Sequence, residues 1–142
     1  MTDDPLDEVA TWGRPFAAAA VLRAGTAVDR TGPTERAVRV ASITKLLTAH
    51  AVLVAVEEGA VALDDPVGQP GCTLAHLLCH AGGYDFDTPA ALMAPGTRRV
   101  YSNTGYQLAA DHVTTATGIP FATYLAEAVL VPLGMASSEL RG

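Results

Sequence analysis

Between Lys45 and Glu57 the chain carries no acidic or basic charge, and Ile43, Leu46, Leu47, Ala51, Val54 and Ala55 recur at helical spacing. An apolar stripe on one side marks a surface helix, whereas apolar residues on nearly every side mark a buried one. The pattern therefore predicts a central helix around which the rest of the fold is arranged, with Gly59 as its C-terminal stop. Lys45, the only lysine in the sequence, stands at the head of this segment, three residues after Ser42. Eight arginines meet the chain's ordinary need for positive charge. A lone lysine marks a position where guanidinium will not serve. A partly buried lysine can lose its proton near neutral pH, but arginine stays charged.

On a helix, residues i and i+3 share a face with Cβ atoms about 5–6 Å apart, so the amine is placed to reach the Ser42 hydroxyl. A neutral amine beside a hydroxyl is a general base beside a nucleophile. Ser-x-x-Lys is a weak pattern by itself. Among four serines a single lysine falls at that spacing by accident on the order of a few per cent of the time. The bland alternative makes Ser42 a helix N-cap and Lys45 a solvated side chain. Against it stands the apolar run that Lys45 opens, since a buried unpaired charge is costly.

The only asparagine, Asn103, falls in a second short motif, Tyr101-Ser102-Asn103. A tyrosinate can relay a proton, and an asparagine amide can fix a substrate amide. The structural alternative is a turn in which Asn103 caps a helix from Thr104 onwards. That role is compatible with the functional one.

Elsewhere, residues 1–15 read as an irregular arm. Phe16–Val28 and Ala37–Val40 read as two strands separated by the turn-rich stretch Asp29–Pro33. Thr73 is expected to cap a short helix to His80. Ala81–Arg99, rich in Gly, Pro and Asp, reads as a long surface loop with at most one turn of helix, and long ordered loops are often functional. Helices are expected over Thr104–Thr117, ended by Gly118, and from Phe121 to about Val131, opened by Pro120 and ended by Pro132.

The composition, 49% hydrophobic and 17% charged, is that of a globular chain. A net charge of -6 argues against nucleic acid and anionic membrane surfaces as partners. Ala17–Leu22 lacks the basic flank of a signal peptide and is too short to span a bilayer, which makes a cytoplasmic location the expectation. Cys72 and Cys79 on a shared helix would lie about 10 Å apart, too far for a disulfide. Cys72, His76, Cys79 and His80 fall within one arc of that helix and raise the question of zinc. One short helix rarely wraps four ligands around a tetrahedral ion, and the reading adopted is structural, with no metal. Asp85 and Asp87 are most simply solvated turn residues.

Taken in order, several motifs resemble the class C β-lactamase family, a group that includes penicillin-recognising esterases and D-alanyl-D-alanine carboxypeptidases. They are Ser42-x-x-Lys45, Leu77-Leu78-Cys79-His80-Ala81-Gly82-Gly83, Pro95-Gly96-Thr97-Arg98-Arg99-Val100-Tyr101-Ser102-Asn103-Thr104-Gly105-Tyr106 and Pro132-Leu133-Gly134-Met135. The resemblance runs from about Val38 to Met135. It implies an α/β fold of β-lactamase/transpeptidase type, with residues 1–142 as a partial serine hydrolase domain. That part is an N-terminal β-hairpin plus a helical region, lacking the C-terminal sheet strands.

By the same resemblance Ser42 is the acylated nucleophile and its backbone N–H is half of an oxyanion hole. Lys45 accepts the serine proton or holds Tyr101 as tyrosinate, and Asn103 binds the substrate amide and supports Lys45. No cofactor is implied. The substrate is a small-molecule or peptide-like acyl compound, with an ester, amide or β-lactam bond. Ala81 and Gly82 depart from the family's usual His-Thr-Ser-Gly at positions expected to be structural. The family's third motif, Lys-Thr-Gly or a His-containing variant, has no counterpart after Met135. Two expectations follow from this: a catalytically silent fragment as the alternative function, and self-association through an exposed edge of the sheet.

Overall fold

The computed structural model describes residues 6–141, so the part of the expected N-terminal arm before Leu6 lies outside the described residues. The chain divides into two compact units between Arg39 and Val40.

In the first unit the arm is not wholly irregular. Asp7–Trp12 forms a 3-10 helical turn that ends at Gly13, with Leu6 and Val9 buried. Two antiparallel strands follow, β1 (Ala19–Arg23) and β2 (Thr26–Thr31), paired from Ala19 opposite Thr31 to Arg23 opposite Thr26, with a bulge at Val21/Leu22. The hairpin turns at Ala24-Gly25, not at Asp29–Pro33. Both residues have positive φ, 48° and 78°, the backbone that a two-residue hairpin needs to match the twist of its strands. The stretch expected to form one strand therefore folds back on itself. Ala37–Val40 forms no strand despite its alternating valines, and Val40 lies in the right-handed helical region with φ -84° and ψ 0°.

The second unit is helical. It comprises α1 (Thr44–Glu57), α2 (Leu74–Leu78), α3 (Asn103–Thr117) and α4 (Phe121–Leu125), and α4 runs into a π-helical turn, Ala126–Leu130. The helix expected to reach Val131 thus changes pitch half-way, and the Val131 N–H bonds the Ala126 carbonyl at 2.9 Å. Thr73 caps α2 as expected: its hydroxyl accepts the His76 N–H, while His76 Nδ1 accepts the Thr73 N–H. Gly118 ends α3 in the left-handed conformation. The N-cap of α3 is Ser102, one residue earlier than expected, and its hydroxyl accepts the Gly105 N–H.

α1 packs against α3, α4 and the π turn, and α2 packs against α3. Ala51, Val52 and Ala55 of α1 meet Leu74, Leu77, Ala109, Val113, Leu125 and Val129 in the core. The expectation of a helix buried all round holds for one side only. Ile43, Leu46 and Leu53 are exposed, Leu46 at 72%. Neighbours in this unit cover a single flank of α1, so its apolar residues divide into a packed set and a bare set.

The same division predicts two opposite mutational outcomes. Leu77→Ala deletes a side chain with 0% exposure and should cost about 2–5 kcal/mol. Leu46→Gln should change stability by less than about 0.5 kcal/mol. Urea unfolding followed by circular dichroism checks both, and equal costs would contradict the burial pattern. Among the described residues no helix is long and apolar enough to cross a membrane.

Candidate active site

Ser42 lies on a 3-10 turn, Ala41–Ile43, that leads directly into α1. Side chains at i and i+3 eclipse on a 3-10 helix, so this turn brings Ser42 over Lys45 in the first turn of α1. The Lys45 Nζ–Ser42 Oγ distance is 3.5 Å. Ala41, just before the serine, has φ 46°. A non-glycine residue in the left-handed region is strained, and such strain clusters at functional sites. Ser42 itself is exposed.

Lys45 is half-buried, and its ammonium is not left unpaired. Nζ donates to the Asn103 Oδ1 as well as to Ser42. It lies 4.7 Å from the centre of the Tyr101 ring and 5.8 Å from that of Tyr106. The sole lysine and the sole asparagine of the sequence, 58 positions apart, are thus in direct contact. α3 makes this possible. Its N-terminus, capped by Ser102, holds Asn103 at the first helical position, and α3 packs on α1.

Tyr101 precedes that cap. Its phenol is held below the ordinary tyrosine range, first by hydrogen bonding with Lys45 and then with Ser42, with the Lys45 and Arg99 charges acting in the same direction and partial desolvation opposing them. The ring is packed by aromatic neighbours, stacked on His80 at 4.5 Å between centroids and on Phe86 at 5.8 Å. A phenol with a stacked ring and a lowered pKa, set beside a serine hydroxyl and an ammonium, is equipped to move a proton.

Four residues of this neighbourhood escaped the reading of the sequence. His80 is buried in a left-handed conformation with φ 61°, and its Nδ1 accepts the Ser102 N–H at 3.1 Å. Burial, followed by the Arg99 and Lys45 charges, pushes its imidazole pKa down. A neutral ring that accepts at Nδ1 carries its proton on Nε2. Tyr106 donates its hydroxyl to the Leu78 carbonyl at 2.9 Å and tilts against His80. Phe86 accepts the Asn103 N–H on its carbonyl at 2.7 Å.

The fourth is Asp87. Read from sequence as a solvated turn residue, it accepts the Asn103 Nδ2–H at 2.6 Å. Asp85 is indeed a turn residue, its carboxylate accepting from the Phe86 N–H and the Thr88 hydroxyl. Its carbonyl also holds the Ser102 hydroxyl at 2.6 Å. The only available sequence signal was the length of the loop carrying these residues. No helical turn forms within it.

The residues that had raised the question of zinc are engaged separately. Cys72 is buried, Cys79 is exposed, His76 completes the cap of α2, and His80 serves Ser102. Among the described residues no group of three or more His, Cys, Asp or Glu could hold a metal ion. Of the two departures at Ala81 and Gly82, space accounts for the second, and it also holds Gly83, where the pattern is kept. A Cβ on Gly82 would come within 2.8 Å of the Leu77 side chain, and one on Gly83 within 2.2 Å of the Met93 carbonyl.

The fold and this constellation together define a class. A family model described as Beta-lactamase matches residues 7–142, and the chain belongs to the β-lactamase family. A crystal structure of a β-lactamase from Mycobacterium bovis superposes with a TM-score of 0.93 at 47% identity, covering 96% of this chain and 50% of that one. That of a β-lactamase/D-alanine carboxypeptidase from Yersinia pestis, complexed with citrate, gives 0.65 at 27% identity, covering 73% and 40%. The D-alanyl-D-alanine-carboxypeptidase/endopeptidase AmpH of Escherichia coli (strain K12) is 27% identical over an alignment of 135 positions that covers 69% of this chain and 35% of that protein. The chain therefore spans half or less of the length of each of these relatives.

Proposed function

We propose that the chain carries the nucleophile and proton-transfer side of a serine acyl-transfer site acting on an ester, amide or β-lactam bond. One observation supports this above the others: the single lysine bridges the Ser42 hydroxyl and the Asn103 amide while lying against the Tyr101 ring. In this reading the Ser42 Oγ attacks the acyl carbon as its proton passes to the phenolate form of Tyr101 or to the neutral amine form of Lys45. The bond to the leaving group breaks, and the leaving group takes up that proton. Water then attacks the Ser42 ester, releasing the acid and restoring the hydroxyl. The 3.5 Å contact between Lys45 and Ser42 suits a site awaiting substrate, because catalytic hydrogen bonds often tighten only in the reacting complex. Asn103 contacts the amide of the acyl part. The D-alanyl peptides named for relatives put a peptide-like acyl group first among the substrates to try.

A fluorescent penicillin and a fluorophosphonate test the reading without knowledge of the natural substrate. The expected result is a single adduct by intact mass, mapping to Ser42. Ser102 is buried, with its hydroxyl occupied by Asp85 and Gly105. An adduct on Ser102, Ser137 or Ser138 would remove the hypothesis. Saturable binding of the penicillin with no adduct would support the alternative, a chain that binds without turnover.

A further inference from the structure

We infer that Asp87 is a positioning residue for this site: its carboxylate fixes the Asn103 amide so that the carbonyl oxygen faces Lys45. The inference rests on the acyl-transfer reading for its functional meaning and on geometry for its structural content. An asparagine amide offers an acceptor at one end and two donors at the other, and Lys45 offers donors only. Asn103 Oδ1 accepts from Lys45 Nζ, and Nδ2 donates to Asp87 Oδ1 at 2.6 Å. Turning the amide over would set its NH2 against an ammonium and its oxygen against a carboxylate. Two opposite charges at its two ends therefore admit one orientation.

Asp87 is itself held in place by the bonds around it. On one side the Phe86 carbonyl accepts the Asn103 N–H at 2.7 Å, and on the other the Thr88 carbonyl accepts the Thr104 hydroxyl at 3.1 Å. Between them the Asp85 carboxylate closes the turn on the Phe86 N–H and the Thr88 hydroxyl. The loop is thus fastened to the first turn of α3 on both sides of Asp87, which gives the long loop a task in the site. A charged acceptor also polarises the amide, strengthening the bond its oxygen accepts from Lys45. One of the two Nδ2 hydrogens goes to Asp87, and the other stays available for a substrate carbonyl.

Asp87→Ala and Asp87→Asn in the whole chain separate this role from a mere effect of charge. Both remove one negative charge, but only the asparagine keeps an oxygen that can accept from Nδ2. Fluorophosphonate labelling of Ser42 should fall about tenfold or more in Asp87→Ala and stay within about threefold of wild type in Asp87→Asn. The second measurement is the ultraviolet titration of tyrosine, with the Tyr101 signal identified by difference from Tyr101→Phe. In Asp87→Ala the Lys45 amine loses its fixed place, and the Tyr101 transition should move up relative to that in Asp87→Asn.

Wild-type labelling of Asp87→Ala with no movement of the Tyr101 transition would overturn the inference. So would an Asp87→Asn variant as impaired as the alanine. A wild-type chain that takes no label at all would refute the acyl-transfer reading instead. The titration arm would still decide whether Asp87 positions Asn103.

Discussion

Lys45→Arg is expected to suppress acylation of Ser42 as fully as Lys45→Ala, although it keeps the positive charge. The contacts of Lys45 make this a sharp test. An arginine can still donate to the Asn103 Oδ1 and lie against the Tyr101 and Tyr106 rings, the partners that Nζ has now. It cannot give up a proton at neutral pH. If Lys45 takes part in the proton's path from Ser42, both variants should lose about 10²–10⁴ in labelling rate, the usual scale for a general acid–base group. The tyrosine titration should distinguish them where the labelling rate does not. Hydrogen bonding with Lys45 is the leading cause of the lowered Tyr101 phenol, so the phenol should rise towards its ordinary value in the alanine variant and stay low in the arginine one. An arginine variant labelled within about tenfold of wild type would show that charge alone matters at this position.

What the sequence disclosed depended on how local each cause is. The Gly59 stop of α1, the Thr73 cap of α2 and the Gly118 stop of α3 are set by residues within a turn of the feature, and all are where the pattern places them. Ser42 and Lys45 were legible for the same reason, three positions apart on one rising turn. Asn103 was legible by composition, as a residue used once. The hairpin was misplaced because Ala24 carries a positive φ, which alanine adopts only under constraint from its surroundings. Ala37–Val40 has the alternation of a strand, but alternation does not supply a partner. Apolar periodicity reports which faces of α1 can be buried, not which ones meet a neighbour, and one flank stays bare. Asp87 and His80 depend on contacts across 16 and 22 residues. No local pattern encodes such contacts.

Tyr101→Phe should slow labelling of Ser42 by about 10²–10⁴ while leaving the fold intact. The substitution removes one hydroxyl and keeps the ring that stacks on His80 and Phe86. Stability should therefore change by less than about 0.5 kcal/mol. The pH dependence gives the more specific signature, and its sign follows from the direction of the shift. The Tyr101 phenol is held below the ordinary tyrosine range, so its ionised form accumulates at lower pH than for a free tyrosine, whose pKa is about 10. If tyrosinate takes the Ser42 proton, the wild-type rate should climb with rising pH and level off once Tyr101 is ionised. In the phenylalanine variant that limb should vanish, leaving a slow reaction with no rise over the same interval. Rates measured from neutral pH upward, with unfolding checked at each point, decide the matter. A Tyr101→Phe chain with an unchanged rate and the same rising limb would move the base role to Lys45 alone, leaving Tyr101 as a ring that walls the ammonium in place.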